Sequence, residues 1–135
     1  MKKYERFFTE ALYRTEDNKI DIEKDKYTEL GIMEIVALEV IAGHKTGRPN
    51  SFFQFFKAYN SNPFKREDWV KEKNSYIDKL GEDANITTLW QSITQKLYEN
   101  DYIDKRGSIN TKGKNELKLL YSKYIPNEKY PRFVV

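Results

Sequence analysis

The run Leu30-Gly-Ile-Met-Glu-Ile-Val-Ala-Leu-Glu-Val-Ile-Ala42 limits the fold more than any other stretch of the chain. Laid on a helix, Leu30, Met33, Ile35, Val36, Leu38, Val40 and Ile41 surround the axis almost completely. A helix that is apolar all round is stable in water only when other elements cover every side. The run is shorter than the roughly 20 residues needed to cross a bilayer, and Glu34 and Glu39 interrupt it. The chain must therefore place this helix at its centre, with Gly43 as its stop, and wrap amphipathic elements around it.

Candidates for the wrapping are spaced along the sequence. Tyr4, Phe7, Phe8, Ala11 and Leu12 recur at helical spacing, which predicts a helix over residues 2–14. The charges of Glu5, Arg6, Glu10 and Arg14 leave that segment without the apolar core of a signal peptide. Ile20 and Ile22 alternate with Asp21 and Glu23, as in a short strand or an extended loop. His44 to Pro49 is a polar loop, after which Asn50 or Ser51 can cap a helix through Tyr59 that carries Phe52, Phe53, Phe55 and Phe56. Asn60-Ser-Asn-Pro63 breaks it. A further helix is expected from Asp68 to Leu80, with Trp69, Val70, Lys73, Ile77 and Leu80 along one side. Gly81 closes that helix and Glu82-Asp-Ala-Asn85 forms a turn.

With 135 residues and 39% apolar content, the chain can bury a core as one domain. Its parts are a helical scaffold over 1–67, a second unit over 68–124 and a tail over 125–135. The absence of cysteine excludes disulfides and thiolate metal sites, and a cytoplasmic location is expected. No cofactor and no metal site is implied, and no membrane partner.

Residues 86–124 carry the most information. Thr87 or Thr88 can cap a helix to about Asn100, with Ile86, Leu89, Trp90, Ile93 and Leu97 within an arc of about 100°. The opposite face displays Thr88, Gln91, Ser92, Gln95 and Tyr98, with Lys96 on a flank. Groups of that kind both donate and accept hydrogen bonds, as readers of base edges in a major groove must. Tyr102 and Ile103 then start an extended stretch, Lys105-Arg-Gly-Ser108 turns it, and Ile109 leads back, which predicts a small β-hairpin. Thr111 caps a last helix to about Tyr124 that offers Leu117, Leu119, Leu120 and Tyr124 for packing, and Pro126 stops it.

The segment LWQSITQKLYENDYIDKRGSINTKGKNEL, Leu89 to Leu117, resembles the winged-helix regulators of the MarR and PadR type. The resemblance rests on a recognition helix, a step at Asn100-Asp-Tyr-Ile103 without the usual glycine, a basic wing, and a restart at Asn110-Thr-Lys-Gly-Lys114. Ser75–Gly81 stands where the first helix of the helix-turn-helix belongs. The implied fold is mainly α with a small β-hairpin: a winged helix-turn-helix with extra N-terminal helices.

The implied function is a DNA-binding transcriptional regulator of bacterial or phage type, not an enzyme. In that reading Thr88, Gln91, Ser92, Gln95 and Lys96 face double-stranded DNA from the recognition helix. Lys105, Arg106 and Ser108 grip the backbone from the wing, and Lys112 and Lys114 add charge-only contacts. A homodimer would pair two such units, with the Tyr4–Leu12 helix and the tail Tyr130–Val135 as its interface.

Charge divides the two functional readings. The chain carries a net +3, but residues 105–135 carry +6 and residues 68–104 carry −4. The basic quarter suits phosphate. The acidic stretch, with Asp78, Glu82, Asp83, Glu99, Asp101 and Asp104, suits a winged-helix module that binds a protein, such as a phage-encoded inhibitor of a host system or a replication accessory protein. If those acids share a face with Gln91 and Gln95, DNA binding loses ground.

Other features carry less. His44 has no partner motif for acid–base work, and Gly43-His-Lys-Thr-Gly47 lacks the order of a phosphate loop. The Phe52–Phe56 run is read as core or dimer interface, because stacking platforms for bases usually alternate aromatic and basic residues on a sheet.

Overall fold

The computed structural model describes residues 28–43, 51–53, 55–56 and 67–124. They form α1 (Ile32–Gly43), a helical segment at 51–53 and 55–56, α2 (Glu67–Leu80), a 3-10 turn (Gly81–Asp83), α3 (Ile86–Glu99) and α4 (Thr111–Tyr124). The expected helix at 2–14, the stretch at 20–23, the loop at 44–49, the break at 60–63 and the tail at 125–135 lie outside the described residues. The same holds for the proposed dimer elements Tyr4–Leu12 and Tyr130–Val135. Among the described residues no helix is long and apolar enough to cross a membrane.

The all-round apolar pattern produces the central helix expected of it. Every residue of α1 from Ile32 to Ala42 is buried, Glu34 and Glu39 included. α2, α3 and α4 all pack on it. Each supplies a stripe: Trp69 and Tyr76 from α2, Leu89, Ile93 and Leu97 from α3, Leu117 and Leu120 from α4. Phe55 is fully buried as well, with its ring centroid 5.0 Å from that of Trp90. Burying a side chain of this size contributes about 1.5–3 kcal/mol, so the stripes fix the arrangement. Val70 and Leu119, expected to pack, are 43% and 40% exposed. On α2 the inward face instead runs through Trp69, Glu72 and Tyr76, because the last two serve the polar N-terminus of α1.

That N-terminus is closed by carboxylates. Glu34 accepts from the N–H of Gly31 at 2.9 Å, and Glu72 of α2 accepts from the N–H of Met33 at 2.8 Å. Both satisfy donors left over at a helix start. Thr28 accepts from the N–H of Leu30 at 3.0 Å and donates to Glu116 of α4 at 2.7 Å, which ties the entry of α1 to the last helix.

Two boundaries differ from expectation. α3 is capped by Asn85 and not by Thr87 or Thr88: Asn85 accepts from the N–H of Thr88, and Thr88 accepts from the N–H of Asn85, both at 3.0 Å. This reciprocal box satisfies two donors at once, so it outcompetes a single threonine cap. The expected two-stranded hairpin is the second. Among the described residues its only β pairing is one antiparallel bridge, Ile103 to Ile109. Tyr102 and Ile103 are both buried, so the stretch lacks the alternation that a strand with one wet face requires. Asp104 then folds the five-residue loop by itself: its carboxylate accepts from the N–H groups of Arg106 and Ser108 at 2.8 and 2.9 Å. Gly107 supplies the left-handed residue of the turn at φ 84°.

The loop is pressed onto α4. A Cβ at Gly113 would collide with the carbonyl oxygen of Tyr102 and lie 2.7 Å from Ile109, so only glycine lets the loop backbone approach this closely.

Candidate functional site

α2 and α3 meet at the turn Gly81–Asp83, and the outer side of α3 is exposed. Leu89, Ile93 and Leu97 point into the core, which leaves Gln91, Gln95, Tyr98 and Glu99 exposed and Ser92 half-buried. A groove of about 600 Å³ runs along the first turns of the face, between Glu82 and Asp83 on one side and Thr88, Gln91, Ser92 and Gln95 on the other. A smaller groove of about 340 Å³ lies between α3 and the 104–108 loop, where Trp90, Gln95 and Tyr98 meet Asp104 and Lys105. Gln95 borders both.

The residues expected to contact DNA therefore separate into two sets. Gln91, Ser92 and Gln95 share the first groove. Gln95 also donates to Glu99 at 3.0 Å. Lys105, Arg106 and Ser108 are exposed on the loop, and Lys114 is exposed on the first turn of α4.

Thr88, Lys96 and Lys112 have partners elsewhere in the molecule. Thr88 is held by the capping box, and its hydroxyl donates to the carbonyl of Asp83 at 2.6 Å. Lys96 is paired with the buried Glu34 at 2.8 Å while half its side chain remains exposed. Lys112 donates to the carbonyl of Asn100 at 2.7 Å, with its ammonium 4.4 Å from the centre of the Tyr102 ring. Lys112 and Lys114 line neither groove.

The electrostatics of the face are set by acids at close quarters. Glu82 and Asp83 sit at the start of α3, where a phosphate would otherwise be drawn to the helix N-terminus. Glu99 follows at its end. The N–H of Ser108, helped by that of Arg106, holds the Asp104 carboxyl below the usual carboxylate range, so the loop carries an anion beside Lys105 and Arg106.

Sequence reasoning missed a polar cluster behind this face. Glu34 is 2% exposed and accepts from the Tyr76 hydroxyl at 2.5 Å and from Lys96 at 2.8 Å, in addition to the Gly31 N–H. Burial pushes the Tyr76 phenol well above its ordinary range, and the bond to Glu34 adds to the effect. Burial, with Glu116 beside it, pushes Tyr102 up to about 12. The available signal was the pair of glutamates inside an otherwise apolar helix, since a buried acid demands dedicated partners. Among the described residues there is no group of His, Cys, Asp and Glu able to hold a metal ion.

No family model, no curated protein and no solved structure matches this chain.

Proposed function

We propose that this chain is a helix-turn-helix module, of winged-helix type with its wing reduced to a loop, and that its partner is a protein. The observation that carries the reading is the company of the polar face of α3: Glu82, Asp83 and Glu99 lie with Gln91, Ser92 and Gln95. Duplex DNA presents one phosphate charge for every 1.7 Å or so of its axis. A face with acids at both ends repels that array, whereas a protein partner can offer matching donors and cations. The uncharged glutamines and the apolar edge of Trp90 and Tyr98 suit the mixed chemistry of a protein interface.

Duplex DNA is the second reading, favoured by one specific observation. Lys105 and Arg106 stand exposed on the loop and Lys114 on α4, all in the part of the chain that follows α3. In that reading the three grip phosphate, and Gln91, Ser92 and Gln95 meet base edges.

A salt titration separates the two. Binding to random duplex DNA is expected to stay weak at low salt and to change little in Lys105→Ala/Arg106→Ala. A partner captured from extracts of the source cells is expected to be lost with Gln91→Arg. Tight DNA binding that collapses with added salt, with a gentler slope in the double variant, would overturn the protein reading.

A further inference from the structure

Glu72 reaches from the middle of α2 to the start of α1. Its Oε1 accepts from the N–H of Met33 at 2.8 Å, while its Oε2 is buried without a hydrogen-bond partner. The carboxyl lies directly over Gly31, where a Cβ would collide with it. The side-chain donors nearby are spent on a different acid: the Tyr76 hydroxyl and the Lys96 ammonium both go to Glu34. Glu34 thus holds two side-chain donors besides the Gly31 N–H, whereas Glu72 meets only backbone N–H groups, those of Met33 and Glu34. A carboxylate with one oxygen buried and unpartnered, only neutral backbone donors on the other and a second acid beside it is costly as an anion.

We propose that Glu72 is a proton-operated latch on the α1–α2 junction. Uncharged, it clasps the N-terminus of α1 to α2. Ionised, its unpartnered Oε2 draws water into the junction, which loosens along the groove between α2, α3 and residues 28–34. That groove has a volume of about 990 Å³. The charges facing Glu72 are Glu34 from α1 and Lys96 from α3, and the exposed groups around the groove are Glu29, Lys71, Lys79 and Glu99. Because Ser92, Gln95 and Lys96 of α3 line the same groove, the latch connects proton concentration to the candidate interaction face. The inference does not depend on which partner that face binds.

Burial, only partly opposed by the Met33 N–H, pushes Glu72 up to about 7 from an ordinary 4.5. The folded state therefore holds this proton more tightly than the unfolded one. Its stabilising effect is complete below pH 4.5, is lost as pH rises through about 7, and changes no further above that.

The test uses the full chain labelled with carboxyl-carbon glutamate, with the Glu72 resonance identified by its absence in Glu72→Gln. Its titration midpoint is expected near 7. Urea unfolding between about pH 5 and pH 9 is expected to show the folding equilibrium constant falling on the order of a hundredfold in the natural chain and staying nearly flat in Glu72→Gln. Glu72→Gln keeps His44, the single histidine, so a slope arising from that residue would survive the substitution. A Glu72 midpoint in the ordinary carboxylate range, or a slope retained in Glu72→Gln, would overturn the proposal. Should Glu72→Gln fail to fold, the carboxyl titration of the natural chain, assigned through bonds, decides alone.

Discussion

α1 and α3 are helices of nearly equal length, 12 and 14 residues, that spend their polar side chains in opposite ways. On α1 the acids are buried, and Glu34 is surrounded by three donors drawn from three places in the chain. On α3 the polar groups are at the surface and mostly answer to neighbours within a few residues, as Gln95 does to Glu99 and Thr88 to Asn85. The first arrangement joins elements; the second leaves a face whose contacts can be exchanged for a partner's. Buried polar groups are costly unless satisfied, so changes near α1 should be felt as stability and changes on the outer side of α3 as binding.

The sharpest way to break that distinction is Glu34→Ala. It leaves the Gly31 N–H, the Tyr76 hydroxyl and the Lys96 ammonium without their acceptor, the first two in largely buried surroundings. Removing one partner from a buried charged network costs about 3–5 kcal/mol. Urea unfolding should show a loss of that order, against less than about 0.5 kcal/mol for Gln95→Ala on the exposed side. A loss below about 1 kcal/mol for Glu34→Ala would mean that the cluster rearranges around water, and the contrast between the two helices would fail.

Gly113→Ala tests the junction between the loop and α4. In an open helix this change stabilises by up to about 1 kcal/mol, because alanine is the better helix former. Here the new methyl meets the Tyr102 carbonyl and the Ile109 side chain, and neither is a flexible tip. Overpacking of this kind costs about 1–3 kcal/mol, so the sign should reverse and the variant should unfold at lower denaturant. A stabilised Gly113→Ala would show that the loop is not pressed onto α4, and with it would go the fixed position of Lys105 beside α3.

These tests also mark what the sequence disclosed. The central helix was legible because seven apolar residues around one axis admit only a covered position. The inward stripe of α3 was legible from the spacing of Leu89, Ile93 and Leu97. α2 was harder. Its inward face is chosen by Glu72 and Tyr76 reaching polar groups on α1, a long-range demand that local periodicity does not record, so Val70 was placed inward and stands exposed. The wing was misjudged for a similar reason. Tyr102 and Ile103 look like the start of a strand, but both are core residues, and Asp104 captures the next N–H groups before a second rung of pairing can form. For the site, sequence located the exposed face of α3 but could not reveal that Thr88, Lys96 and Lys112 were already engaged. Lys96 answers to Glu34 on another helix and Lys112 to Asn100 beyond the loop. Thr88 is taken by Asn85 at the start of its own helix and by Asp83 in the turn before it.

The smallest expected effect lies in that loop, and it has the opposite sign to the latch at Glu72. Asp104 is half-buried, and its carboxyl is held below the usual range first by the N–H of Ser108. A carboxyl depressed in the folded state favours folding above its ordinary value of 3.8 and loses that contribution as pH falls through its lower folded value. The loop should therefore loosen only in acid, whereas the α1–α2 junction loosens as pH rises through about 7. The amide proton shifts of Arg106 and Ser108 should titrate together below 3.8, and the step should vanish in Asp104→Asn. The Met33 amide should be silent in that range. A shared midpoint for Met33 and Ser108 would show that loop and junction move as one body. The loop would then be an extension of the core around α1, and only the outer side of α3 would remain for exchange with a partner.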